Sequence, residues 1–257
     1  SHAIFHSILK HSSNGLAILG ITSIFEIILF TPLILLVPFP TPNIWALIIA
    51  STLLHGFYRL LVIYSYKFGD LSFIYPISRG SSSLLLIIIS YLYLSDKISL
   101  FGSVGVLIIC FGLFLISFSN KIKFNKKAFI LSILTALIIT SYTIVDGIGI
   151  RHSANPYTYL YWMLLLNGTP TLIWSLLFKN SGLRNINKNI LIMGFSFSFF
   201  APLSYGLVVW SMQYIPIAYV STIRESSIIF ATLIGFILLN EKDAKLRLIP
   251  AIFIVMG

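Results

Sequence analysis

The chain has 257 residues, of which 58% are hydrophobic and 9% charged, with a formal net charge of +10 and a mean hydropathy of +0.97. Soluble globular domains hold roughly 45–50% apolar residues, so this composition excludes a water-soluble fold and points to an integral membrane protein. The basic excess does not indicate nucleic-acid binding, because the lysines and arginines sit mainly in loops between apolar stretches, where the positive-inside rule accounts for them.

Apolar stretches near the ~20 residues that cross the hydrocarbon core as a helix recur along the whole chain. In order they are predicted at 1–9, 14–37, 43–66, 71–94, 98–118, 127–149, 157–179, 188–212, 216–239 and 246–257. Strands are excluded as spanning elements, since alternating ten-residue segments are absent. The connections are too short to hold a soluble domain. The single cysteine, Cys110, lies within 98–118, which excludes a disulfide framework and a thiolate metal cluster.

The same signature is written twice. Lys10–Gly15 reads KHSSNG and Arg151–Pro156 reads RHSANP, 141 positions later; Arg79, Asp96 and Lys97 recur as Arg224, Glu241 and Lys242 at an offset of 145. Such self-similarity predicts two five-span repeats, residues 1–120 and 121–257, the second inverted because five is odd. The expected fold is therefore an all-α polytopic membrane protein of ten helices in two inverted repeats. Ser1 aligns with Tyr142, whereas the sixth span begins near Lys127, so about fifteen residues of the first helix are expected to be missing. Gly257 aligns with Gly112, and the last helix is likewise expected to be cut short.

Loops after the odd-numbered spans hold 12 basic residues, among them Lys10, Lys67, Lys123 and Arg184, while the even loops hold only Lys97 and Arg151. This bias predicts odd loops in the cytoplasm and both termini outside.

Tyr58–Ser99, YRLLVIYSYKFGDLSFIYPISRGSSSLLLIIISYLYLSDKIS, and Ser204–Lys242, SYGLVVWSMQYIPIAYVSTIRESSIIFATLIGFILLNEK, resemble the paired signatures of EamA-type carriers in the drug/metabolite transporter superfamily. The likeness lies in small, aromatic and arginine residues followed by an apolar run that ends in SDK or NEK. It implies ten helices in two inverted repeats, with the third, fourth, eighth and ninth lining a central cavity. It also implies alternating access, with efflux or exchange of small metabolites across a bacterial cytoplasmic (inner) membrane. Members are usually drawn with both termini inside, the opposite of the charge count here.

Six ionisable residues fall well inside spans: Glu26, Arg59, Arg79, Asp146, Arg224 and Glu225. Each costs ~2.5–3.5 kcal/mol at the bilayer centre on insertion scales, so each is expected to face a partner or a wet cavity. Arg79 and Arg224 each lie about eight residues into a span, ~12 Å deep at 1.5 Å per residue. Guanidinium forks suit carboxylate or phosphate, which makes the pair a candidate anion site; the alternative is neutralisation by an internal carboxylate such as Glu225 or Asp146. Asp146, Glu225 and Glu26 are candidates for proton coupling or charge pairing. Tyr58 and Tyr205, with Tyr75, Trp210, Arg59 and His55, are candidate pocket residues, ordinary helix packing being the alternative for the aromatics.

Glu26 aligns with Asn167, and Pro170 and Pro202 fall mid-span, where proline favours a kink. His2 and His6 have the i, i+4 spacing of a metal pair but lack further ligands, so neither a metal nor a cofactor is expected. The reading is a secondary active transporter, acting as a monomer or homodimer, of a small polar metabolite bearing an anionic group, such as an amino acid or similar zwitterion. Protons are its candidate coupling ion, and a midplane cavity between the repeats its candidate site. The alternative is a carrier or flippase for a phosphorylated metabolite or lipid headgroup, since paired arginines also suit phosphate. No nucleophile elbow, HExxH motif or filter signature supports an enzyme or a channel.

Overall fold

The computed structural model describes residues 15–69, 71–94, 96–118, 125–178, 186–226 and 248–257. The described residues form helices and no strand: α1 (Gly15–Ile34), α2 (Pro42–Ser65), α3 (Leu71–Tyr93), α4 (Leu100–Phe118), α5 (Lys126–His152), α6 (Pro156–Leu166), α7 (Thr169–Leu177), α8 (Lys188–Ser211), α9 (Ile217–Ile223), a 3₁₀ turn (Arg224–Ser226) and α10 (Leu248–Met256). Among them, six stretches are long and apolar enough to cross a membrane, α6 and α7 counting together, and α4 carries a shorter apolar run at 100–115. The chain is thus a polytopic helical membrane protein. The predicted span at 1–9, His2, His6, Lys10, Glu241, Lys242 and most of the span at 216–239 lie outside the described residues.

The helices gather into two compact units. Of the described residues, those within 15–63 and 141–214 form unit 1 and those within 64–140 and 215–257 form unit 2, so each draws on both halves of the sequence.

In unit 1, α1 packs on α8 through Ala17, Ile18, Ile21 and Ile190, with Phe25, Met193 and Phe197 at the edge. Gly194 permits the approach: a Cβ there would stand 2.9 Å from that of Ile21. The opposite face of α8 stays apolar and uncovered, with Phe199, Phe200, Leu203 and Leu207 exposed, as a lipid-facing helix requires.

The RHSANP signature is a helix junction. Asn155 caps α6 by accepting the backbone N–H of Tyr157 at 3.0 Å, and Pro156 follows at a position where its missing N–H costs nothing. Arg151 donates from Nε to the carbonyl of Met212 at 2.7 Å, satisfying an orphan acceptor at the end of α8.

The span predicted at 157–179 is broken. α6 ends at Leu166 and α7 begins at Thr169, because Pro170 has no N–H to give the Leu166 carbonyl four residues earlier. The Thr169 hydroxyl donates to that carbonyl instead, at 2.7 Å. Pro202 behaves differently, lying inside an unbroken α8.

In unit 2, Phe73, Ile74 and Ile77 of α3 bury against Ala128 of α5, and Tyr75 packs with Ile109, Leu113 and Ile254. Asp96 accepts the backbone N–H of Ile217, the first residue of α9, at 3.2 Å. Cys110 is buried, its thiol donating to the Gly80 carbonyl at 3.4 Å.

Candidate functional site

In unit 1 the buried charges form two groups on one stripe of α2. Ser51, His55 and Arg59 are each four residues apart, which places them one above another on a single face. Asp146, fully buried near the end of α5, meets the upper part of that stripe. Its Oδ1 accepts from Ser51 Oγ at 2.5 Å and from Tyr159 at 2.7 Å. Its Oδ2 accepts from Tyr205 at 2.5 Å and lies 3.1 Å from His55 Nε2. The imidazole stacks on Tyr142, ring centroids 4.0 Å apart, one turn before Asp146 on the same helix.

Gly149 completes the arrangement: a Cβ there would collide with the Tyr159 ring. Gly149→Ala should therefore push Tyr159 off Asp146 and destabilise the protein by about 1–3 kcal/mol through overpacking. A Tyr159→Phe background should absorb part of that loss, read in both cases by thermal unfolding in detergent micelles.

The lower part of the stripe is Arg59. Its Nη2 lies 3.6 Å from Glu26 Oε1 and its Nη1 donates to Thr171 Oγ1 at 3.2 Å. Ser23 and Thr171 share a hydrogen bond of 3.1 Å. Tyr58 is half-buried, its ring centroid 5.6 Å from that of Tyr142.

Trp210 stands apart from these charges. It meets Tyr214 edge to face and lines an apolar groove of about 510 Å³ with Leu29, Phe30, Leu164, Phe199 and Leu203.

Unit 2 carries the other group. Arg79, buried in α3, presents its side-on edge to Glu225 of the 3₁₀ turn. Nε donates to Oε2 at 2.9 Å and Nη2 stands in ion-pair contact with Oε1, so one edge of the guanidinium faces both carboxylate oxygens. The Tyr75 ring lies 5.8 Å from the guanidinium carbon. Arg224 is half-buried at the start of the same turn.

The candidates therefore fall together in three sets: Asp146 with His55 and Tyr205, Glu26 with Arg59, and Arg79 with Glu225 and Tyr75. Sequence reasoning missed Ser51, Tyr142, Tyr159, Ser23 and Thr171. The i, i+4 spacings of Ser51 with His55 and of Tyr142 with Asp146 were the signal available. Tyr159 and Thr171 reach their partners only through tertiary packing, which leaves no local pattern.

Membrane-spanning helices with ion pairs buried inside the spans are the build of a protein that handles polar cargo within the bilayer. Residues 126–257, just over half of the chain, match the model of the EamA-like transporter family. The chain belongs to that family, one of small-molecule transporters and not of enzymes. Among curated proteins none matches it.

Proposed function

We propose that the protein is a secondary active carrier, an exporter or exchanger in a bacterial inner membrane, for a small zwitterion such as an amino acid. Ten helices in two inverted repeats working by alternating access are the architecture this reading requires. The observation that carries it is the buried fork between Arg79 and Glu225. A substrate carboxylate offers the guanidinium the same two oxygens as Glu225. Its ammonium group would then take Glu225, so both protein charges exchange one partner for another without being bared in the membrane. Such an exchange discriminates zwitterions from simple anions, which leave Glu225 uncompensated.

Counterflow of labelled amino acids and phosphorylated metabolites into proteoliposomes tests this. Saturable counterflow of a zwitterion without chemical conversion is expected, and its absence across the whole panel contradicts the proposal.

The loop charges support cytoplasmic odd loops and external termini. A cysteine at Lys123, in a Cys110→Ala background, is expected to react with an impermeant maleimide only after the membrane is opened. Labelling of intact cells would reverse the orientation.

A further inference from the structure

We propose that Glu26 and the break between α6 and α7 form a binding site for a small monovalent cation, a proton or a sodium ion, whose arrival releases Arg59. As a coupling site it rests on the carrier reading; as a cation site it does not.

The carboxylate of Glu26 is 1% exposed and only half engaged. Oε1 lies 3.6 Å from Arg59, close enough for charge attraction but beyond hydrogen-bond length. Oε2 has no hydrogen-bond partner among the described residues. It is turned toward Gly168 so closely that a Cβ at that position would overlap it. Asn167, next to Gly168 in the chain and 8% exposed, carries a second buried oxygen, Oδ1, also without a donor among the described residues. Buried acceptors are rarely left bare, because each lacks the compensation it had in water.

What these oxygens lack is a positive guest. Carboxylate, amide and hydroxyl oxygens are the ligands of hard cations, and Ser23 Oγ, 2.7 Å from the Gly168 Cβ position, adds a hydroxyl beside them.

Arg59 of α2 is the charged group that faces Glu26. The helices packed on α1 are α6, α7 and α8. By sequence the first two hold no charged residue and α8 holds only Lys188, at its exposed first position. Their titratable groups near the stripe, Tyr159 and Tyr205, are turned to Asp146. Among the described residues, neutralising Glu26 therefore acts on Arg59. The guanidinium keeps Thr171 and loses its counter-charge, which raises its affinity for an anion; cation and anion binding become positively coupled.

The test uses purified full-length protein in detergent micelles and needs no transport. Radioactive sodium in equilibrium dialysis forms one arm, and the infrared C=O band of a protonated carboxyl, followed against pH, forms the other. Wild type is expected to bind sodium saturably or to show a titrating carboxyl band, the arm that responds identifying the ion. Glu26→Gln should abolish sodium binding, or remove one carboxyl from a band to which the six other acidic side chains still contribute. Asn167→Ala should weaken the wild-type response about tenfold, the equivalent of one lost buried interaction. Gly168→Ala, which crowds Oε2, should weaken it as well. Absence of both responses in wild type, or an unchanged response in folded Glu26→Gln, overturns the proposal. If Glu26→Gln does not fold, unchanged binding in both Asn167→Ala and Gly168→Ala overturns it.

Discussion

Asp146→Leu is expected to destabilise the protein by about 3–5 kcal/mol, the cost of removing one partner from a buried charged network. Ser51, Tyr159, Tyr205 and His55 all close on this carboxylate. Interhelical hydrogen bonds in membranes average ~0.6 kcal/mol and reach ~1.7, so four of them sum to about the same range. The cost arises because the hydroxyls of Tyr159 and Tyr205 are too deeply buried to find water. Asp146→Asn keeps one good acceptor and should lose roughly half as much. Adding Tyr159→Phe and Tyr205→Phe to the leucine variant should recover stability, since stranded donors then disappear. Titration with a denaturing detergent in mixed micelles measures each step, and a loss under ~1 kcal/mol for Asp146→Leu would show that the cluster does not hold unit 1 together.

The second large effect falls on Arg79. Truncating one member of a buried, hydrogen-bonded charge pair costs 2–5 kcal/mol or more, so Arg79→Ala should lower counterflow by about two to three orders of magnitude and impair folding too, leaving Glu225 bare. Arg79→Lys separates these outcomes. It retains the charge that Glu225 needs but replaces the planar fork with a point charge, so near-normal stability with strongly raised half-saturation for substrate is expected. Equal loss of stability and transport in the lysine variant would mark the pair as a purely structural lock.

Helix positions were largely legible in the sequence. The predicted spans at 43–66, 71–94 and 188–212 differ from α2, α3 and α8 by one residue at most at either end, because a run of apolar residues bounded by polar or proline-containing loops has few other solutions in a bilayer. The break at Asn167 was only half visible. Pro170 predicted a disturbance, but its place was set by the Thr169 hydroxyl, which rescues the Leu166 carbonyl, and by Gly168, which lets Glu26 approach.

Charge partners were less legible. Glu225 stood among the internal carboxylates that could neutralise an arginine, but which arginine was not readable; in the structure it holds Arg79, 146 positions earlier in the chain. Asp146, near the end of its predicted span, gave no sequence sign that two tyrosines from other helices would enclose it. Long-range pairing depends on how helices pack, and a period of 3.6 residues carries no information about that.

Counterflow by the double variant Arg79→Gln, Glu225→Gln tests the central claim most directly. Removing both charges leaves no uncompensated ion, so the protein should fold with stability within about 1–2 kcal/mol of wild type. If the fork is where substrate exchanges partners, the folded variant should show no saturable zwitterion counterflow above protein-free liposomes. Counterflow at the wild-type rate would contradict it and reduce the Arg79–Glu225 pair to a tie between helices.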